Sequence, residues 1–171
     1  MEKIKKLKNT FTNKKIDGYI IPKNDEFFGE YIPDHKDRLK YISNFTGSYG
    51  FALILKNKNY LFVDGRYTLQ ANKQSSNFFK IKTIPDETPN EVLKNKKLKI
   101  GFDPSLFTKI NLNFFFGKAD CKFIPIRTNL IDKIWKRKKD KVRKKFYTLP
   151  QTALYENYKA KINKIISKYK K

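Results

Sequence analysis

With 171 residues, 39% of them hydrophobic and 15% aromatic, the chain carries material for one packed core of ordinary domain size and is not of disordered composition. A single cysteine, Cys121, and a single histidine, His35, exclude a disulfide framework and a Cys/His metal cluster. The charged opening MEKIKKLKNTFTNKK lacks the apolar stretch of a signal peptide, and no apolar run nears the ~20 residues of a membrane span, so the expected protein is cytoplasmic with no membrane partner.

Ile4, Leu7 and Phe11 fall at helical spacing and predict a first helix ending near Asn13. Gly18–Pro22 reads as a short buried strand closed by proline. Residues 30–45 predict a helix with Leu39, Ile42 and Phe45 on one face, anchored by Arg38 and Tyr41. Gly47, Ser48 and Gly50 then allow a tight reversal from helix to strand. The runs 51–55 and 60–63 flank the polar 56–59 as a hairpin. A second turn, Asp64-Gly65-Arg66-Tyr67, leads into a helix over Thr68–Ser75. Residues 78–84 alternate as a strand. Thr88 and Pro89 are placed as N-cap and first residue of a helix. Residues 98–102 form a strand ended by Asp103-Pro104, 105–117 a helix, and 121–126 a last strand.

This alternation predicts an α/β fold, a mixed β-sheet flanked by helices. The strands are short continuous apolar runs, so most should be buried on both faces. No Gly-x-Gly-x-x-Gly follows the first strand, where Pro22-Lys23-Asn24 stands, which argues against a dinucleotide site.

Charge is unevenly spread: residues 1–132 hold 24 basic and 14 acidic residues, and residues 133–171 hold 15 and 2. The shift places a boundary near Trp135, giving a domain over 1–134 and a basic linker with a C-terminal helix over 135–171. In that helix Leu154, Tyr158, Ile162, Ile165, Ile166 and Tyr169 form one apolar face opposite lysines. The stripe needs a cover, whether this domain, a following one, a membrane surface or an acidic partner. Only five of the 39 basic residues are arginine. A joint excess of Lys, Asn and Ile is what AT-rich codon usage produces, whereas phosphate recognition favours arginine. The +23 net charge therefore predicts weak, salt-sensitive adhesion to polyanions and no specific nucleic-acid site.

For chemistry, Asp64, Gly65, Arg66 and Tyr67 are the leading candidates. Gly65 would supply a dihedral closed to other residues, and Arg66 would project from the strand end toward another domain or an acidic substrate group. Alternatively, Asp64 and Arg66 brace the turn and Tyr67 fills the core. Phe114, Phe115 and Phe116 cannot all face one core from a single helix, so Phe114 and Phe115 are candidate protein–protein contacts, as are Leu154, Tyr158, Ile162 and Ile166. Metal-pair hydrolysis needs carboxylates converging on ions about 3.5–4 Å apart, and the scattered acids give no such cluster. His35 reads as a plain loop residue.

Five blocks, DGYIIPKNDEFFGEYI (17–32), RLKYISNFTGSYG (38–50), LFVDGRYTLQA (61–71), KIGFDP (99–104) and TNLIDKIW (128–135), in this order and spacing, resemble the N-terminal, creatinase/prolidase-type domain of Xaa-Pro aminopeptidases (aminopeptidase P). Thr68 stands where the family tends to have a large aromatic, and Tyr49 where alanine is usual. The resemblance implies a mixed-sheet α/β unit with ribonuclease H-like layering. In longer members a second such domain follows, then a catalytic domain holding two divalent metals, commonly manganese, on aspartates, a histidine and glutamates. Those ligands have no counterpart here, so the resemblance implies no catalytic residue, no metal ligand and no cofactor in this chain.

The tail KAKINKIISKYKK looks like the first helix of that second domain and echoes the opening EKIKKLKNTFTNKK. Full-length relatives remove an N-terminal residue preceding proline, and their N-terminal domain assists oligomerisation and narrows active-site access. The chain is thus expected to be inactive on its own, as a truncated or split gene product. Its expected partners are a second copy, as a homodimer, or a catalytic aminopeptidase chain. The alternatives are a separately encoded accessory subunit docking on such a chain, or a basic nucleic-acid-binding module. Arg38 joins the 64–67 turn as a candidate substrate- or domain-interface residue.

Overall fold

The computed structural model describes residues 2–137 and 147–169. The chain divides into two units, residues 1–139 and 140–171. The first is built on a six-stranded sheet of order β4-β3-β2-β1-β5-β6. Its strands are β1 (Gly18–Pro22), β2 (Gly50–Leu55), β3 (Asn59–Asp64), β4 (Lys80–Ile84), β5 (Lys99–Phe102) and β6 (Lys122–Pro125). β2 runs antiparallel to β1 and β3, while the β3–β4, β1–β5 and β5–β6 pairs are parallel. All strands but β2 therefore point the same way and end at one edge.

Alternating side chains feed two cores. On one face Tyr19, Ile21, Ala52, Ile54, Leu61 and Val63 pack against helices α1 (Glu2–Lys14), α2 (Arg38–Ser43), α3 (Thr68–Ser75) and α6 (Leu130–Ile134). On the other, Ile20, Phe51, Leu53, Phe62 and Ile100 meet Leu93 and Phe116, contributed by the segments of α4 (Pro89–Val92) and α5 (Lys109–Phe116). α1 buries Ile4, Leu7 and Phe11 as its spacing predicts, each worth about 1.5–3 kcal/mol of burial. It stops where Lys15 turns left-handed at φ 52° and the Ile16 amide bonds back to the Phe11 carbonyl at 3.1 Å.

The mixed sheet, the hairpin and α3 match expectation. Thr88 does cap α4: its hydroxyl accepts the Glu91 amide while the Glu91 carboxylate accepts the Thr88 amide. Three expectations change. The 30–45 helix is confined to Arg38–Ser43, because Pro33 and a turn centred on Asp34–Lys36 occupy the approach and Asp37 caps the helix by accepting the Lys40 amide. The 105–117 helix splits into a short 3-10 turn at Pro104–Leu106 and α5. Asp103 caps the former and Thr108 the latter. Burial on both faces holds for β1 and β2 and for the middle of β3, while β4, β5 and β6 are partly exposed.

In the second unit α7 (Tyr158–Tyr169) is amphipathic and leaves Tyr158, Ile162, Ile165 and Ile166 exposed. Asn157 accepts the Ala160 amide, and Glu156 pairs with Lys164 at 2.7 Å. Part of the basic connector before this helix lies outside the described residues. Among the described residues no helix is long and apolar enough to cross a membrane.

Candidate docking edge at the strand ends

The shared edge gathers the loops leaving β1, β3 and β5 and the turn entering β2. After β1, Asp25 is buried and its Oδ1 accepts the Phe27 amide at 3.0 Å, while the Phe28 amide reaches the Asp25 carbonyl at 3.2 Å. The local side-chain turn drives Phe28 into the left-handed region at φ 54°, an unfavourable place for a bulky residue. It also leaves Phe27 80% and Tyr31 88% exposed. Ion pairs fix the loop's base. Lys23 and Asp37 form a nearly solvent-free pair at 2.5 Å, and Lys36 reaches Glu26 at 3.0 Å and lies over the Phe27 ring, 4.4 Å from its centre.

Arg38 sits behind this loop, only 3% exposed. Its guanidinium holds both oxygens of Asp132 and, at 2.6 Å, Glu26. Burial acts against the arginine's charge, but the bonds to Asp132 and Glu26 outweigh it and raise its pKa further. Burial likewise opposes ionisation of Glu26, and its backbone, Arg38 and Lys36 bonds win, holding the carboxyl down to about 2. The candidate interface role of Arg38 is corrected: its buried side chain anchors its helix, as an internal brace between α2 and α6.

The turn after β3 is open. The Asp64 carboxylate accepts the Arg66 amide at 3.0 Å and Arg66 Nε at 2.8 Å. These bonds lower the Asp64 pKa and raise that of Arg66. Arg66 keeps a side chain 75% exposed. Tyr67 turns inward, with its ring edge-on to Phe45 at 5.9 Å and its hydroxyl 2.7 Å from Ser48 Oγ. The 46–50 and 64–67 turns are thereby tied together. Gly65 does not have a positive φ, and a Cβ there would meet only Thr83 Cγ2 at 3.8 Å, so the special dihedral expected of it is absent. Gly50 needs glycine, since a Cβ would lie 2.6 Å from the Phe62 carbonyl oxygen, and a Cβ at Gly47 would run into the Phe45 ring. Gly47 packs beside Phe45 and Tyr67. Tyr49 is part-exposed, and burial together with the nearby Asp64 raises its phenol pKa.

At the β5 exit, Asn24 donates to the Leu106 carbonyl at 2.9 Å, joining the loops after β1 and β5. In α5 the three phenylalanines separate: Phe116 is buried, Phe115 half-buried against Phe51 at 5.0 Å, and Phe114 is 75% exposed. Leu154, Tyr158, Ile162 and Ile166 belong to the second unit. Reasoning from sequence passed over Lys23, Asp25, Phe28 and Tyr31, although the cluster DEFFGEYIP between two prolines marked the loop.

The resemblance raised a metal pair, and these residues do not fit one. Asp25, Glu26, Asp37, Asp64 and Asp132 are committed to backbone amides or to lysine and arginine. No group of three or more His, Cys, Asp or Glu converges among the described residues.

Comparison with known proteins fits this architecture. The probable Xaa-Pro aminopeptidase P of Coprinopsis cinerea is 30% identical over 169 residues, which cover 93% of this chain and 27% of that protein. Xaa-Pro aminopeptidase 1 of Dictyostelium discoideum is 33% identical over 150 residues, 81% of this chain and 24% of its own. Among solved structures, X-prolyl aminopeptidase from Caenorhabditis elegans, a cytosolic enzyme with a di-nuclear active site, matches 78% of this chain and 25% of its own. Its TM-score is 0.71 at 30% identity. The N-terminal domain of the cytoplasmic peptidase PepQ from Mycobacterium tuberculosis shares the fold at 19% identity, TM-score 0.60, over 98% of its length. The chain thus spans about a quarter of the length of the curated relatives it matches. The creatinase/prolidase N-terminal domain model matches residues 3–134, and the chain belongs to that family.

Proposed function

We propose that this chain acts as the non-catalytic N-terminal lobe of an Xaa-Pro aminopeptidase-type metallopeptidase. It docks on a catalytic domain or chain, supports its oligomer and limits access to short peptides. The observation that carries this reading is the sheet edge itself. Phe27, Tyr31, Tyr49 and Phe114 present aromatic surface there and Arg66 presents a projecting cation, on loops braced from behind by Arg38–Asp132 and Lys23–Asp37. Aromatic residues and arginine are the side chains that anchor protein interfaces. In the same reading α7, with its exposed apolar stripe, begins a second unit of the α1 kind.

The test is purification of the full chain from native lysate, followed by identification of what accompanies it. A metal-dependent Xaa-Pro aminopeptidase polypeptide that co-elutes at constant ratio, with cleavage of an Xaa-Pro peptide in those fractions, is the expected result. A chain that elutes alone, or that by itself cleaves the peptide with added manganese, overturns the reading.

A further inference from the structure

The strand order reverses beside β1. The chain moves outward through β2, β3 and β4, then returns to place β5 on the other side of β1 and β6 beyond it. β1 and β5 are parallel, so their exit loops diverge from the same edge. The crevice at such a reversal is where open α/β sheets take ligands. Here it is a cavity of about 390 Å³, walled by Phe28, Tyr49, Phe51, Phe107, Phe114 and Phe115, with Asn24 and Asn111 as its uncharged amide residues.

We propose that this crevice seats an uncharged aromatic side chain carried by a partner polypeptide. Four features support that occupant. Six rings line the cavity, and aromatic groups attract one another, face or edge, beyond simple burial. The one charged lining residue, Lys23, is closed off by Asp37 at 2.5 Å, so in a chain of net charge +23 the cavity offers no net charge to an ionic group. The Asn111 side-chain amide complements a peptide bond, the Asn24 Nδ2 being taken by the Leu106 carbonyl. Finally, the loop that holds Phe28 in its left-handed conformation carries Phe27 and Tyr31, both exposed, and so extends apolar surface past the space one ring would fill. Strained residues of this kind gather at ligand clamps. The inference goes beyond the docking reading, because it can be tested with a free probe and no catalytic chain.

The experiment titrates the full chain, labelled with nitrogen-15, with N-acetyl-tryptophanamide, and repeats the titration with N-acetyl-alaninamide and with bare indole. We expect saturable shifts of the amides of residues 23–28, 49–51 and 106–115 with the tryptophan amide and none with the alanine amide. Indole should bind at least about fivefold more weakly than the tryptophan amide, for want of the amide contacts. Phe114→Ala and Phe28→Gly should each weaken binding about fivefold. Both positions are at least partly exposed, and the spectrum reports whether either variant has lost its fold, in which case the other decides. Absence of saturation, shifts centred instead on the separate cleft lined by Leu55, Tyr60 and Leu98, or unchanged affinity in a folded variant overturns the proposal. Indole binding as tightly as the amide overturns it in favour of a small-molecule site.

Discussion

Arg38 grips Asp132 with two prongs, Nε to Oδ1 at 2.8 Å and Nη2 to Oδ2 at 2.9 Å, joining positions 94 residues apart in the chain. The bidentate match of guanidinium and carboxylate is geometrically demanding. It fastens α2, and through Glu26 the loop after β1, onto the short helix α6 that closes the domain.

Removing one partner should therefore be costly. Asp132→Ala leaves the Arg38 charge buried with Glu26 as its remaining partner, and we expect a loss of about 2–3 kcal/mol in urea unfolding. Arg38→Lys should not restore stability lost at this contact, because an ammonium cannot reproduce the two-pronged geometry. The double change Arg38→Met with Asp132→Leu should lose less than Asp132→Ala alone. An Asp132→Ala protein within about 0.5 kcal/mol of the parent would show that the brace carries no stability.

Glu26 makes the same network sensitive to acid. Its carboxyl titrates near 2 in the folded chain against an ordinary value of 4.5. A depressed folded value means that the unfolded chain takes up the proton first. The stabilisation is therefore complete above about pH 4.5 and drains away as pH falls toward 2. Unfolding midpoints measured from pH 6 to pH 2 should fall through that window, and Glu26→Gln should flatten the part of the fall that Glu26 supplies. Equal slopes in the two proteins would assign acid sensitivity to other groups.

Two glycines separate the turns. A Cβ at Gly50 would stand 2.6 Å from the Phe62 carbonyl oxygen, inside the β2–β3 ladder, whereas at Gly65 it would make one ordinary contact at 3.8 Å. Gly50→Ala should destabilise by about 2–4 kcal/mol. Gly65→Ala should lie within about 1 kcal/mol of the parent, on the stabilising side where it reduces the freedom of the unfolded chain. Thermal unfolding of both variants checks the contrast, and a severe loss at Gly65 would mean its turn is not the one described.

Much of the fold was legible because its signals are local. The α1 stripe, the proline that closes β1, the 51–63 hairpin and the Thr88 cap each sit within a few residues of what they shape. The failures have long-range or side-chain causes. Nothing near Arg38 announces Asp132, so the anchoring role expected of this arginine came without its partner, 94 residues away. The sequence around 30–45 has helical spacing, yet Pro33 and the Asp34–Lys36 turn occupy its first half, and Asp37 caps a helix that starts only at Arg38. Asp64-Gly65 looks like a turn needing a positive φ, but the Asp64 carboxylate caps a 3-10 turn that glycine merely occupies. The apolar face of α7 was legible as a stripe, while its cover is not written in its own residues.

Arg66 offers the cleanest separation of docking from folding. Its side chain is 75% exposed, and its two bonds to Asp64 join a residue two positions away. An exposed pair of this kind contributes about 0–1 kcal/mol to stability, and Arg66→Ala keeps the amide that Asp64 caps. The variant should therefore unfold within about 0.5 kcal/mol of the parent. Binding to a catalytic aminopeptidase chain should behave differently, because an arginine at the centre of an interface contributes about 2 kcal/mol or more, close to a thirtyfold loss of affinity on truncation. Tyr67→Phe, which removes only the hydroxyl paired with Ser48, serves as a control within the same turn and should leave binding near the parental value. If Arg66→Ala binds the catalytic chain as the parent does, the open turn is not part of the docking surface. The contact then rests on the aromatic loops alone.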